Sequence, residues 1–329
     1  MEFYQVGDSN VRLSRVALGG HEYLPNGNSR GFNEDFAKAI TPGHSFPGFG
    51  GAKRKAVLSA AYDAGVNFFD VTLDAEKEAL GRNLAEMPPP YAVYVQTRPE
   101  AMNYSYDPGN RKMTNLDLLR AEVQRILNVL KRERLELLNL GPLSAAIDGD
   151  PDFVAKLAAN VKSLQKEGLI LFAAADTFSG EATYKAMVAS GAFATLNINF
   201  NVADDEPERR IFPFARERNV RVVIREAFIK GVLFRLGREA GIDDDALLAR
   251  AAMKWIGSRP GVDTVIIGAD TDAHFRDNLR AFEARSLDDA ETAVLDKLRA
   301  HPAFAALQKQ KRDEFATGSA IGQRAALSR

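Results

Sequence analysis

A parallel (β/α)8 barrel, the TIM-barrel architecture, is the fold this sequence predicts, on three observations. Eight short apolar runs recur along it, at residues 15–18, 66–71, 92–97, 135–140, 169–175, 195–200, 220–225 and 264–267. Amphipathic helical patterns separate them, and a return to a parallel strand needs such a crossover. The runs are apolar throughout, as suits strands covered on both faces. Eight such units over about 250 residues match a barrel closely. An open doubly wound sheet is the rival, but its first strand leads into a Gly-rich turn. Here Gly19-Gly20 is not followed by G-x-G-x-x-G spacing.

Taken in order, residues 2–6 and 11–14 flank Gly7-Asp8-Ser9-Asn10 and read as a β-hairpin placed before the barrel. Residues 21–50 hold Pro25, Gly27, Gly31, Pro42, Gly43, Pro47, Gly48 and Gly50 with little periodicity. A loop this long is usually functional or disordered. Because it follows the first barrel strand, it is read as a lid over the C-terminal mouth, with a plain surface loop as the alternative. Further on, residues 116–130 place Leu119, Val123, Ile126, Leu127 and Leu130 on one helical face. Residues 153–165 do the same through Leu157, Val161 and Leu164, after a helix start at Asp150-Pro151. The organisation is thus one barrel domain, 1–300, containing the hairpin 1–14 and lid 21–50, then a polar tail, 301–329, weakly helical around 304–315.

Composition narrows the function. A chain of 329 residues, 46% hydrophobic and 26% charged, can bury a full core as a soluble protein. A net charge of -1 argues against nucleic acid as a partner. No run approaches the roughly 18 apolar residues of a membrane span. Met1-Glu2-Phe3-Tyr4-Gln5-Val6 lacks the features of a signal peptide, so a cytoplasmic location is expected. The absence of cysteine excludes disulfides, thiolate catalysis and thiolate metal sites. His21, His44, His274 and His301 include no helical metal pair, so no metal is expected. The expected partner is a small molecule; the sequence leaves the oligomeric state open.

Five segments carry a family resemblance: Gly65-Val66-Asn67-Phe68-Phe69-Asp70, Glu78-Ala79-Leu80-Gly81, Trp255-Ile256-Gly257-Ser258-Arg259-Pro260-Gly261-Val262, Ile266-Ile267-Gly268-Ala269 and Asn278-Leu279. In this order the chain resembles the aldo-keto reductases over roughly residues 1–285. The resemblance implies a nicotinamide-linked oxidoreductase of small carbonyl or hydroxyl compounds, working through an Asp, Tyr, Lys and His tetrad. Asp70 takes the aspartate's place. The segment from Asp70 to Glu76 contains no tyrosine, Arg98 stands for the lysine, and Gly141 stands for the histidine. Arg98 keeps a charge for pairing with Asp70, but with a pKa above about 12 it relays no proton.

The resemblance also implies cofactor-binding positions. Asp176 and Thr177 stand where the nicotinamide amide is held, and Phe200, in the stretch from Asn197 to Asn201, is the ring to stack on nicotinamide. Lys230 and Gly231 belong to the phosphate-side loop; Gly268, Ala269, His274 and Asn278 complete the set. Asp270 would repel a 2′-phosphate, which favours NAD over NADP if a dinucleotide is retained at all.

The strand ends gather His21, Glu22, Asp70, Thr72, Arg98, Glu100, Asp176, Asn199, Asn201, Arg225 and Glu226 at the mouth. His21, Asp70 and Arg98 are the catalytic candidates, against a plainer reading of a structural histidine and a structural Asp70–Arg98 ion pair. Tyr23, Tyr104 and Tyr106 lie on mouth-side loops as candidates for the missing phenol. Three functions stay open: the diverged oxidoreductase leads, followed by an enzyme of another class (lyase, isomerase or dehydratase) and a non-catalytic binder of a ligand or protein. Convergent polar groups would favour an enzyme; a mouth filled by the lid would favour a binder.

Overall fold

The computed structural model describes residues 1–284 and 286–319. The hairpin pairs β1 (Phe3–Gln5) with β2 (Arg12–Ser14). Eight parallel strands then close into a barrel: β3 (Val16–Gly19), β4 (Phe68–Asp70), β5 (Tyr94–Thr97), β6 (Leu135–Leu140), β7 (Ile170–Asp176), β8 (Thr195–Asn199), β9 (Arg221–Arg225) and β10 (Thr264–Ile267). Closure is between β10 and β3, with Val265 opposite Val16. The expected barrel, hairpin and strand positions are all present; β6 and β10 keep their expected bounds, β3 and β7 are shifted by one residue, and β4, β5, β8 and β9 are shorter.

Side chains alternate along each strand and so divide into two sets. Leu18, Phe69, Val95, Leu138, Ala173, Leu196, Val222 and Val265 face the helices and join the main core. Ala17, Phe68, Leu137 and Val223 face the barrel axis, joined by Phe172, Tyr94 and Ile266. Val6 and Leu13 of the hairpin pack on this inner set and close the bottom of the barrel. Two residues further along the strands, the inner face becomes polar.

The helices follow the sequence. Leu116–Leu130 is a helix, its first turn capped by Asn115, whose side chain accepts from Leu118 N. Phe153–Lys166 is another. A Cβ on Gly81 would stand 2.7 Å from Leu130 O, so the Glu78-Ala79-Leu80-Gly81 helix needs glycine to meet its neighbour backbone to backbone. The tail is helical where expected, over a longer stretch, and is packed against the barrel as far as Ser319. Pro302–Thr317 is a helix that buries Phe304 and Phe315, three turns apart on one face. Its end packs on Gly180, and Ser319 N donates to Phe178 O at 2.8 Å. The rest of the expected tail, residues 320–329, lies outside the described residues.

Residues 21–50 are pinned down over the mouth. Gly50 N donates to Glu22 at 2.5 Å, Gly43 N to Asp74 at 2.6 Å, and Arg30 to Pro47 O at 2.8 Å. The segment contains a short helix, Phe36–Ala39, and a bridge between Tyr23 and Ser29.

Candidate active site

The polar layer is built by the strand positions that follow the inner apolar set. Asp70 accepts a hydrogen bond from Gln96 Nε2 at 2.7 Å. Asp176 Oδ2 accepts three, from Arg225 Nη1 at 2.6 Å, Tyr104 Oη at 2.7 Å and Asn139 Nδ2 at 3.0 Å. Arg225 Nε also donates to Asn199 Oδ1 at 2.8 Å. Gln96, Asn139, Asn197 and Asp176 each keep a buried side-chain oxygen without a partner.

His21 Nδ1 lies 2.7 Å from Glu76 Oε1, while the His21 side chain remains 37% exposed. Glu76 is buried and also accepts from Thr72 N at 2.8 Å and Thr72 Oγ1 at 3.0 Å. Burial opposes its charge, yet the facing His21 and the two Thr72 donors outweigh burial and hold the carboxyl at about 2. For His21, burial likewise opposes the charged form, and Glu76 overcomes it, raising the pKa. Asp70 moves the other way. Burial pushes its carboxyl up to about 6, against the hydrogen bond from Gln96 and the nearby His21. His21 and Asp70 are thus both raised above their ordinary values, each feeling the other's charge.

Arg98 does not make the expected pair with Asp70. Asp70 is taken by Gln96, and the Arg98 guanidinium turns to the faces of Phe32, Tyr104 and Tyr106, 5.4–5.5 Å from their centres. Tyr104 fills the place where the resemblance expects a histidine. Its ring abuts Gly141, and its N–H donates to Gly141 O at 2.7 Å. The turn that brings it there is left-handed at Ala101, Tyr104 and Asn110. Asn110, a residue that tolerates this conformation, ties the turn by donating to Met102 O and Tyr104 O and accepting from Leu143 N. The Tyr104 phenol is buried and engaged with Asp176, and burial and that carboxylate raise its pKa. Tyr23 is similarly pushed to about 12 by burial.

The implied cofactor positions are largely occupied by the protein itself. Phe200 is not available to a nicotinamide. It faces outward from the barrel and stacks on Trp255 at 5.3 Å and against Phe212 at 5.1 Å, since it falls in the helix-facing register of its strand. Asp176 is saturated at one oxygen by Arg225, Tyr104 and Asn139. Asn197 is buried in the inner layer. The Tyr23 hydroxyl sits against Gly268, where a Cβ would lie 2.1 Å from it. Lys230 is exposed and paired with Glu226 at 3.0 Å, in a turn left-handed at Glu226, Ile229, Lys230 and Gly231. His274 is exposed on its helix and Asp270 is exposed beside it, while Ala269 and Asn278 are buried. In this arrangement Phe200 and Gly268 are covered by Trp255 and Tyr23, whereas Lys230, Gly231 and His274 are exposed. Among the described residues no group of His, Cys, Asp and Glu could hold a metal ion, and no helix is long and apolar enough to cross a membrane.

Sequence reasoning missed Glu76, Gln96 and Asn139. Gln96 and Asn139 each stand two residues before a strand-end position already singled out, Arg98 and Gly141, and period two puts them on the same face. Glu76 sits in the first turn of the helix Asp74–Glu86, where a glutamate reaches back to free backbone N–H groups.

Comparison with known proteins agrees with this architecture. The family model for the aldo/keto reductase family matches residues 49–245. Among solved structures, a glycerol dehydrogenase from Gluconobacter oxydans superposes with a TM-score of 0.67 at 19% identity, covering 91% of this chain and 95% of its own. An aldo-keto reductase from Bacillus halodurans, in its holo form, gives 0.64 at 18% identity, covering 91% and 96%. No curated protein matches the sequence. With a closed barrel, a bottom hairpin and a family match over more than half its length, the chain belongs to the aldo/keto reductase family.

Proposed function

We propose that this family member is an acid–base enzyme, of the isomerase, lyase or dehydratase kind, acting on a small hydroxy or carbonyl compound. The observation that carries this reading is the 2.7 Å contact of His21 Nδ1 with Glu76 Oε1 at the barrel mouth. It fixes the ring, favours its charged form and leaves Nε2 for substrate. In the simplest case His21 gives its proton to a carbonyl oxygen while Asp70 takes one from the adjacent carbon. The C–H electron pair becomes the C=C bond of an enediol, and the carbonyl π pair becomes the new O–H bond. Asp70 then returns its proton to the former carbonyl carbon, using the C=C pair, while the other hydroxyl gives its proton back to His21 and its O–H pair becomes the new C=O. This completes an isomerisation with no change in the substrate's oxidation level.

The test is proton exchange. Small hydroxy ketones and hydroxy aldehydes incubated in D2O should gain deuterium at carbon, read by NMR. The H21N variant should exchange them at least about 100-fold more slowly, the low end of general acid–base contributions. Absence of exchange across the set would sink the reading.

Family membership supports a second one, the diverged oxidoreductase, since aldo-keto reductases use NAD(P)H. Retention of Gly268 and the buried Asn278 favours it. It requires Tyr23 to leave Gly268, and Asp270 favours NAD. Titration with NADH and NADPH separates the two: micromolar binding supports the oxidoreductase, and its absence from a folded protein supports the acid–base enzyme.

A further inference from the structure

Arg98 follows β5 directly, and its guanidinium, held by the charge of Glu100 and by aromatic faces, has two nitrogens without hydrogen bonds. The side chain is 7% exposed, and neither Nε nor Nη2 has a hydrogen-bond partner. The nearest carboxylate oxygen, Glu100 Oε1, is 3.8 Å from Nε, too long for a hydrogen bond. The other Glu100 oxygen is held by Lys77 at 3.1 Å. Aromatic faces attract the charge but do not accept a planar pair of N–H groups. A buried cation left this way is costly unless something completes it.

The two unpartnered nitrogens form one edge of the guanidinium fork, whose parallel N–H groups match the two oxygens of a carboxylate. Phe32, from the segment 21–50, bridges the two groups: its face lies 5.5 Å from Arg98, and its ring is 5.9 Å from His21, edge to face. A molecule that enters beneath Phe32 meets the cation on one side and the proton donor on the other. Asp70, Glu76 and Glu100 stand close by, which suits a singly charged anion better than a phosphate.

We infer that the substrate carries a carboxylate that docks side-on to Nε and Nη2 of Arg98, making it a small hydroxy or oxo acid, with Phe32 closing over it. The inference deepens the acid–base reading of the mouth and rests on it.

Calorimetric titration of the full chain tests this with matched pairs: glycolate against ethylene glycol, lactate against 1,2-propanediol, and D-glycerate against glycerol. At least one acid is expected to bind tenfold or more tightly than its alcohol. R98M should abolish that preference, and R98K should weaken it. Circular dichroism and melting curves confirm that the variants are folded, and R98K serves if R98M is not. Equal binding of acids and alcohols, no binding of any acid, full retention in R98M and R98K, or tighter binding of inorganic phosphate would each overturn the inference. Because the readout is binding, its failure is separable from failure of His21-dependent deuterium exchange.

Discussion

The ring of Tyr104 occupies the space that any side chain at Gly141 would need: a Cβ there would stand 2.4 Å from Tyr104 Cε1. The two residues come from different strand-end loops and are mutually exclusive in size. Restoring a side chain with G141A or G141H should therefore destabilise the protein by about 1–3 kcal/mol through overpacking. Combining G141H with Y104A should recover part of that loss. Urea unfolding of the single and double variants measures the coupling, and additive effects would contradict the exclusion.

E76Q should move two observables together. The His21 pKa, followed by NMR of the ring protons, should fall when the carboxylate is neutralised. Stability at pH 7 should drop by roughly 2 kcal/mol, the worth of hydrogen bonds to a charged group. The sign follows from linkage. Glu76 is depressed to about 2, so its contribution is present above the unfolded value, 4.5, and is lost as pH falls toward 2. His21 is raised, so its contribution is complete below 6.5 and disappears as pH rises through the folded value.

D70N should stabilise the fold at alkaline pH while removing activity. Burial pushes the folded carboxyl up to about 6 from an ordinary 3.8, so the native state holds a proton that the unfolded chain gives up between these values. Stability therefore declines as pH rises through that window, by on the order of 2–3 kcal/mol. Thermal unfolding at pH 4 and pH 8 checks it: the D70N gain should appear at pH 8 and shrink at pH 4.

Lys77 carries the buried network behind the mouth, donating to Asp74 at 2.9 Å and Glu100 at 3.1 Å. Arg125 holds the far side of Asp74, at 2.6 Å. Removing the lysine charge with K77M strands Glu100, and a cost of about 3–5 kcal/mol is expected from denaturant unfolding. The double variant K77M/E100Q should lose less than K77M alone.

The barrel was legible because its strands repeat one pattern and its helices keep one apolar face, as in Leu116–Leu130. The strand-end positions of Asp70, Asp176 and Arg225 followed from that register. What each side chain touches did not follow. Phe200 was assigned by its place in a motif, yet its outward register puts it on Trp255. Arg98 and Asp70 end neighbouring strands and have opposite charges, but Gln96 was a nearer donor. Tyr104 reaches the site only through a left-handed turn held by Asn110, and no local periodicity encodes such a path. Long-range choices among competing polar partners are the part a linear pattern does not specify.

The hydrogen bond from Ser319 to Phe178 gives the two ends of the described chain opposite addresses. Phe3, in the hairpin, sits beneath the closed floor of the barrel, while Ser319 emerges at its open rim. A fluorophore attached through a cysteine introduced at Ser319 would sense events at the rim, and one at Asp8 would serve as the silent reference. Because the chain has no cysteine of its own, each introduced thiol is the sole site of labelling in its variant.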